Sequence, residues 1–244
     1  MKPFLLLATR EDDEAADNEF AAFAHFTGLS DGALHRIRLE RGALPHIDLD
    51  DWSGILLGGG PFQSSDQRAA KPAVQRRIET DLHRLLDDVV ARDYPFFGAC
   101  YGIGTLGTHQ GAVVDRLYGE LVGSVRIELT DAGCTDPVFG VLPARFAAFV
   151  GHKEAVRTLP PHAVRLAGSA TCPVQGFRVG TNVYATQFHP ELDIEGLCLR
   201  IETYRLFGYF DPAEAESLKA MARASSVQHP TKLLRRFVEV YART

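Results

Sequence analysis

The chain has 244 residues, with 26 Lys and Arg against 31 Asp and Glu, and a formal net charge of −5. Without a basic excess, the protein has no electrostatic attraction for phosphate backbones or anionic lipid, so we expect no nucleic-acid or membrane partner. No run approaches the roughly 20 apolar residues of a spanning helix, and the N-terminal segment turns acidic after Thr9, unlike a signal peptide. We therefore expect a cytoplasmic protein.

A chain of this length can bury its core as one α/β domain. We expect a single domain over residues 1–244, with a core at about 4–207 and a helical C-terminal extension at about 212–244. The four cysteines include no CxxC pair, which argues against a disulfide framework and a structural zinc site. We interpret three of them as ordinary small apolar residues, namely Cys134, Cys172 and Cys198.

The first hundred residues alternate between strand and helix patterns. Apolar runs that end at polar residues or glycines predict buried strands, and apolar residues at helical spacing predict the helices between them. The predicted strands are 4–8, 34–39, 54–57 and 95–99, and the predicted helices are 13–26 and 72–92. This alternation predicts an α/β fold, with a mostly parallel sheet flanked by helices. In such sheets ligands bind beyond the carboxyl ends of the strands, which is where both glycine-rich segments fall.

The pattern changes to short β-like runs between about residues 116 and 187. These runs predict added antiparallel strands that extend the same sheet, with a hairpin turn at 178–183. They are 123–129, 146–150, 163–167, 174–179 and 183–187. The C-terminal part is helical again, at 193–207, 212–224 and 229–242, and we expect the last two helices to pack on the sheet. Their apolar stripe is Leu233, Leu234, Phe237 and Tyr241.

The fourth cysteine lies between two glycines, in the stretch Gly98-Ala-Cys100-Tyr-Gly102 that directly follows a predicted strand. A nucleophile at a strand-to-helix turn needs a strained backbone, and small residues two positions away allow strand and helix to approach closely. The position also places the thiol near a helix N-terminus, which favours the thiolate. The alternative is a tight turn that holds a structural cysteine.

A second unusual stretch, ending in His189-Pro-Glu191, supplies the groups that a thiolate needs. The imidazole can keep the thiol ionised and later protonate a leaving amine, while the carboxylate orients the ring and stabilises its cation.

The glycine run from Gly58 to Gly60 supplies backbone N–H groups at a strand end, and the amide after Cys100 supplies another. These could form an oxyanion hole, with Gly59, Gly60 and Tyr101 as the candidate donors.

The stretches LLGGGP, GACYG and ATQFHPE, in this order and at these separations, resemble the class I (triad) glutamine amidotransferases, and within them the amidotransferase domain of GMP synthase. The resemblance covers the chain from Phe4 to about Phe207 and implies a flavodoxin-like sheet. It also implies roles for individual residues. Cys100 would be the nucleophile, His189 the acid and base, and Glu191 its orienting partner, with Gly60 and Tyr101 in the oxyanion hole; Gly104, Gly151, His152 and Lys153 would bind substrate.

The implied reaction is hydrolysis of the glutamine side-chain amide through a cysteinyl thioester, which releases glutamate and ammonia. It implies no metal and no organic cofactor. Enzymes of this kind deliver ammonia to a synthase, so we expect a partner chain that receives it.

One residue departs from the family pattern, which usually carries Gln where this chain has Gly104. Either another side chain compensates, with Thr105, His109 and Gln110 as candidates, or the vacated volume admits a group larger than glutamine. The second option predicts a γ-glutamyl peptide or γ-glutamyl amide hydrolase. A non-catalytic binding or regulatory protein on the same fold is the third hypothesis, because a fold does not guarantee activity.

Overall fold

A computed structural model describes residues 2–30 and 32–243. The chain begins with alternating strands and helices, as predicted. In chain order, the elements up to residue 109 are β1 (Phe4–Ala8), α1 (Asp13–Thr27), β2 (Leu34–Arg38), β3 (Gly54–Leu57), α2 (Ala73–Ala91), β4 (Phe96–Ala99) and α3 (Tyr101–His109). Helix α1 begins at a cap where the Asp12 carboxylate accepts from the Ala15 amide at 2.8 Å, and it ends at Gly28 in the left-handed conformation, with φ 73°.

The remaining elements are mostly strands, followed by helices at the C-terminus. They are β5 (Val113–Asp115), β6 (Glu120–Leu129), α4 (Asp131–Thr135), β7 (Arg145–His152), β8 (Ala155–Thr158), β9 (Ala163–Ser169), β10 (Gly176–Val179), β11 (Val183–Thr186), α5 (Ile194–Thr203), α6 (Ala215–Ala224) and α7 (Lys232–Tyr241). The short elements β5, β8 and α4 were not predicted.

Within the described residues, nine strands form one mixed sheet in the order β2-β1-β3-β4-β11-β10-β9-β6-β7. The first five run parallel, and the others pair antiparallel. The prediction for β11 was right on one side only, because this strand pairs antiparallel with β10 after the predicted hairpin turn but parallel with β4. The turn at Gly180, with φ 56°, reverses the chain after β10, so β11 runs parallel to β4 inside the sheet. Strands β5 and β8 pair separately.

The sheet carries helices on both faces, as predicted. Alternate residues of β1 point to opposite faces. Leu5 and Leu7 pack with the apolar side of α2, whereas Phe4 and Leu6 pack with α1 and α7. The predicted packing of the last helix on the sheet is confirmed, because Phe237 lies edge-on to Phe4 and to Phe97, with centroids 6.2 and 5.6 Å apart.

The described residues include no helix that is both long and apolar enough to span a membrane.

The parallel half of the sheet places the carboxyl ends of β1, β3, β4 and β11 along one edge. Thr186 of β11 pairs with Ala99 of β4, so the segments that follow these two strands leave the sheet side by side. This edge carries both of the predicted active-site segments.

Candidate active site

Cys100 lies between the end of β4 and the first residue of α3, with φ 52° and ψ −92°. Positive φ is uncommon for a residue with a side chain, and the cysteine is held there by its amide, which donates to the Thr186 carbonyl at 2.8 Å. The neighbouring glycine is needed for this turn, because a Cβ at Gly98 would lie 3.0 Å from backbone atoms of Gly102. The strained strand-to-helix turn predicted from the sequence is present.

His189 and Glu191 follow β11 and are both buried. The Nδ1 atom of His189 is 2.7 Å from the Glu191 carboxylate, and His189 lines one cavity together with Cys100. Because Nδ1 is occupied by the carboxylate, Nε2 is the ring atom left for the thiol. The structure therefore brings together the three side chains that the sequence selected, in the order thiol, imidazole, carboxylate.

The charges of His189 and Glu191 favour the protonated imidazole and the ionised carboxylate. Burial by itself lowers the pKa of His189, but the neighbouring Cys100 and Glu191 outweigh it and raise that pKa to about 10. For Glu191 burial acts in the opposite sense, and the contact with His189 holds the pKa of the carboxyl below its usual range. An imidazolium paired with a carboxylate is the state that stabilises a neighbouring thiolate.

The glycine run after β3 lies against this group, but its three amides have different partners. The Gly58 amide donates to the Leu7 carbonyl at 3.0 Å, and the Gly59 amide donates to the Glu19 carboxylate at 3.2 Å. The proposed role of Gly59 as an oxyanion donor therefore does not fit, because its N–H group is already used. Gly60, which lines a cavity together with Cys100 and Tyr101, is the glycine available for that role.

A buried ion pair supports the glycine run. Glu19 accepts from Arg10 Nε at 2.8 Å as well as from the Gly59 amide, and both side chains are almost fully buried. On the other side of the peptide, the Thr9 hydroxyl donates to the Gly59 carbonyl at 3.0 Å. These contacts fix the backbone orientation of the loop. Neither Arg10 nor Glu19 was selected from the sequence, although Arg10 follows the carboxyl end of β1, where functional residues are expected.

Two of the four predicted substrate-binding residues lie beside the cysteine. Gly151 and His152, at the end of β7, line the same cavity as Cys100. His152 is held by two acceptors, since Nε2 is 2.8 Å from the Glu120 carboxylate and Nδ1 is 2.8 Å from the Glu154 carbonyl. The other two predicted residues occupy different positions.

Gly104 does not line either cavity that contains Cys100, and no vacated volume lies beside it. A Cβ at this position would lie 2.8 Å from Ser64 Oγ and 3.0 Å from Glu154 Oε1. Glu154 is anchored by the Ser64 and Ser65 amides at 2.6 and 2.8 Å. The Glu154 carboxylate therefore occupies the space that a larger residue at 104 would need.

The residues considered as substitutes for the family's glutamine are engaged elsewhere. Thr105 donates to the Tyr101 carbonyl at 2.9 Å, and His109 and Gln110 contact each other at 2.7 Å at the far end of α3. Lys153 lines neither of the cavities that contain Cys100. It donates to the Phe207 carbonyl at 2.7 Å and lies 4.4 Å from the centroid of the Tyr209 ring.

A second set of cysteine, histidine and carboxylate side chains lies behind this cavity. Glu120, His152 and Cys172 have their polar atoms within 4.8 Å of one another. The carboxylate is already held by His152 and by Gln175 at 2.7 Å. Burial, reinforced by Glu120, raises the pKa of Cys172 to about 12, which disfavours a thiolate. This set orients His152 and is chemically unsuited to nucleophilic attack.

Two cavities meet at Cys100, and Gly60, Gly151 and Tyr209 line both of them. The smaller cavity continues along Tyr101, His152 and Glu154. The larger cavity is lined by His189, by two buried arginines and by a mainly apolar wall. The thiol therefore lies between a side that carries His152 and a side that carries His189.

Residues 36–196 match the family described as glutamine amidotransferase class-I, which is more than half of the chain. The chain belongs to this family. Its curated relatives include a subunit of the glutamine-hydrolyzing GMP synthase from Thermoplasma acidophilum, 30% identical over 60% of this chain and 66% of that protein. The corresponding subunit from Pyrococcus abyssi is 28% identical over 57% of this chain and 66% of its own length. The matched part is just under two thirds of each relative.

Solved structures support the amidotransferase fold over the whole length of the chain. A glutamine amidotransferase from Thermotoga maritima superposes with a TM-score of 0.71 at 21% identity, covering 98% of this chain and 99% of that one. A glutamine amidotransferase from Methylobacillus flagellatus superposes with a TM-score of 0.70 at 18% identity, covering 100% and 97%. At this identity the likeness concerns the fold alone.

Sequence reasoning missed several residues of this amidotransferase's site. Arg10 and Glu19 support the glycine run, and Arg200 and Tyr209 line the larger cavity. Only Arg10 carried a signal, as a charged residue directly after a buried strand. The others lie in helices or loops, and only the tertiary fold brings them to the site.

Proposed function

We propose that the chain hydrolyses the side-chain amide of glutamine, with Cys100 as nucleophile, His189 as acid and base, and Glu191 as the orienting carboxylate. One observation carries the proposal. Cys100, in a strained turn at the start of α3, lines one cavity with His189, and the Nδ1 atom of that imidazole is 2.7 Å from a buried carboxylate. This arrangement is the one that activates a nucleophile and returns a proton to a leaving group.

In the proposed reaction, the Cys100 thiolate attacks the δ-carbonyl carbon of glutamine. The C–N bond breaks as His189 gives its proton to the departing nitrogen, which leaves as ammonia, and the glutamyl group remains on sulfur as a thioester. Water then attacks the thioester and loses a proton to His189, so that glutamate leaves and the thiolate is restored. We assign the Gly60 and Tyr101 amides to the oxyanion formed in both steps.

The relatives are named as subunits of a glutamine-hydrolysing GMP synthase. We therefore propose that the ammonia passes to a separate synthase chain, and that residues 1–244 act as one amidotransferase domain. The non-catalytic hypothesis has less support, because the imidazole that the hydrolysis needs lines one cavity with the thiol and is paired with the carboxylate.

The test is glutamate release from glutamine by the purified protein, first alone and then with a synthase chain. We expect the Cys100→Ala variant to lose the activity, and Cys134→Ala, which changes an exposed cysteine, to keep it. Equal glutamate release by wild type and Cys100→Ala would reject the proposed nucleophile. No release by wild type under either condition would reject glutamine as the substrate.

A further inference from the structure

The two cavities at Cys100 are small for the proposed substrate. Their volumes are about 60 and about 20 Å³. A cavity that encloses benzene measures about 150 Å³, and glutamine is the larger molecule. Neither cavity at the thiol can therefore enclose a glutamine molecule in the conformation that the structure describes.

A third cavity lies next to these two and has the volume that they lack. It measures about 280 Å³ and is not lined by Cys100; we call it the outer cavity, and its wall includes Arg116 and Lys153. Two side chains, His152 and Tyr209, border both the outer cavity and the smaller cavity at the thiol. Tyr209 also lines the larger one. A path from the outer cavity to the sulfur therefore passes these two side chains.

Of these two side chains, Tyr209 is the weakly held one. His152 is 5% exposed, and each of its ring nitrogens has an oxygen at 2.8 Å. The hydroxyl of Tyr209 has one hydrogen bond within the described residues, from Nε2 of Gln63 at 3.5 Å, a distance at the upper limit for such a bond. Moving the Tyr209 ring would therefore cost less free energy than moving His152.

The loop that carries this tyrosine, residues 204–210, is also weakly packed. Leu206 is 84% exposed and Phe207 is 54% exposed. The start of the loop is fixed, because the Tyr204 hydroxyl accepts from Arg10 Nη1 at 2.8 Å. Segments with few buried apolar contacts are the ones that open locally at a low cost in free energy. We therefore expect the part of the loop after Tyr204 to move.

Lys153 joins this loop to the other side of the path. Its Nζ atom donates to the Phe207 carbonyl at 2.7 Å and lies 4.4 Å from the centroid of the Tyr209 ring. A cation over the face of an aromatic ring attracts the ring, and the hydrogen bond fixes the backbone beside it. Lys153 directly follows β7, next to the firmly held His152. One residue beside a strand of the sheet therefore holds both the backbone and the ring of the loop in place.

We propose that Tyr209 is a gate between Cys100 and the outer cavity, that Lys153 holds this gate closed, and that glutamine reaches the thiol when it opens. The inference rests on the proposed thioester chemistry at Cys100 and concerns access to the sulfur. When the Tyr209 ring moves aside, the outer cavity and the two cavities at the thiol become one space. Because only open molecules bind glutamine, the apparent affinity falls in proportion to the fraction that is open.

The first experiment measures access to Cys100 without turnover. The protein would be alkylated with iodoacetamide and, separately, with its bulky N-naphthyl derivative, which has the same reactive group. Peptide mass spectrometry would give the rate at Cys100, divided by the rate at the exposed Cys134 in the same sample. We expect this relative rate to be much lower for the bulky reagent in wild type and in Tyr209→Phe, and nearly equal for the two reagents in Tyr209→Ala. Equal relative rates in wild type, or an unchanged difference in Tyr209→Ala, would overturn the inference.

The second experiment loosens the gate without changing the cavities at the thiol, because Lys153 lines neither of them. We expect Lys153→Met to raise the relative rate of the bulky reagent at Cys100 by about threefold or more, the factor that corresponds to a lost cation–π contact. Arg116→Met is the matched control, because Arg116 lines the same outer cavity but is paired with Asp66 at 2.7 Å. An unchanged rate in Lys153→Met would contradict the gate, also in the case that Tyr209→Ala does not fold.

The kinetics of glutamine hydrolysis distinguish a gate from a substrate-binding role of Lys153. Loosening the gate raises the open fraction, so we expect Lys153→Met to lower KM for glutamine by about the same factor. Loss of a residue that bound the substrate would instead raise KM. A higher or unchanged KM in Lys153→Met would contradict the gate.

Failure of the gate and failure of the proposed function give different results. Hydrolysis of glutamine, together with an unchanged difference between the two reagents in Tyr209→Ala, would retain the nucleophile and reject the gate. The expected change in Tyr209→Ala without any hydrolysis of glutamine by wild type would retain the control of access to Cys100 and reject glutamine as the substrate.

Discussion

The contact between His189 and its two neighbours is the feature on which the chemistry depends. The imidazole lies between a thiol and a buried carboxylate, and the pKa of His189 is raised to about 10 because both partners favour the protonated ring. A histidine whose pKa is higher in the folded state than in the unfolded chain stabilises the fold most at low pH. This contact therefore links the active site to the pH dependence of stability.

We expect the stabilising contribution of His189 to be fully present below about pH 6.5, its ordinary pKa, and to be lost as the pH rises toward 10. The free energy of unfolding of wild type, relative to His189→Gln, should therefore fall between pH 6.5 and 10. Urea titrations of both proteins at three pH values in this range would measure it. A difference that grows with pH would contradict the protonated imidazole.

The carboxylate that orients the ring gives a second prediction. Glu191→Gln removes the negative charge that stabilises the imidazolium but preserves the size of the side chain. We expect kcat for glutamine to fall by about 10²–10⁴-fold, as when the carboxylate of a triad loses its charge. The exposed Glu195→Gln on α5 is the matched control. A Glu191→Gln enzyme with nearly wild-type kcat would show that the carboxylate does not orient the ring.

The sequence predicted these three side chains because each belongs to a short motif at a strand end. It could not predict Arg200 or the contacts of Glu154, because these depend on parts of the chain that are far apart in sequence. Glu154, for example, is anchored by the Ser64 and Ser65 amides. The Gly59 prediction failed for the same reason, since its amide partner Glu19 lies on α1.

At the scale of single elements, the turn between β4 and α3 shows what the two glycines contribute. The sequence motif treats Gly98 and Gly102 alike, as small residues that allow strand and helix to approach. The structure distinguishes them. A Cβ at Gly98 would lie 3.0 Å from the backbone of Gly102, whereas the nearest atoms to a Cβ at Gly102 belong to Leu57, at 3.5 Å or more.

We therefore expect Gly98→Ala to destabilise the protein by about 1–3 kcal/mol, the usual cost of overpacking a core, and to lower the reactivity of Cys100. Gly102→Ala should be neutral or stabilising by up to about 1 kcal/mol, because alanine favours the helix. Chemical denaturation of both variants would test the difference. Equal destabilisation by the two substitutions would contradict the packing described for this turn.

The predicted bounds of the elements agree best with the structure where an apolar sequence pattern coincides with burial of the whole element. Strands β1 and β3 have the predicted bounds, because they are short apolar runs that are buried along their whole length. Strands β5 and β8 were missed because they are only partly buried and form a separate small sheet. The parallel direction of β11 depends on its neighbour β4, which a local pattern does not specify.

At the scale of the whole molecule, the C-terminal helix packs against the strand that begins the chain. Phe237 of α7 is fully buried and contacts Phe4 of β1 and Phe97 of β4. The last helix and the first strand therefore share one apolar cluster. This arrangement supports the proposal of a single domain that unfolds as one unit.

Phe237→Ala should lower the free energy of unfolding by about 3–5 kcal/mol, because it removes a large aromatic side chain from this cluster. The exposed Phe207→Ala is the control, with an expected change near zero. Circular dichroism and tryptophan fluorescence should report one coincident transition for every variant. Two separate transitions, with α7 unfolding before the sheet, would contradict the single domain.

The central claim is that Cys100 is the activated thiol of this amidotransferase, and covalent labelling tests it most directly. The four cysteines of wild type would be treated with a chloromethyl ketone analogue of glutamine, and the adducts located by peptide mass spectrometry. We expect one adduct per chain, on Cys100, with labelling suppressed by glutamine and slowed in His189→Ala. Labelling of the exposed Cys134 instead of Cys100, or labelling of Cys100 that glutamine does not suppress, would contradict the claim.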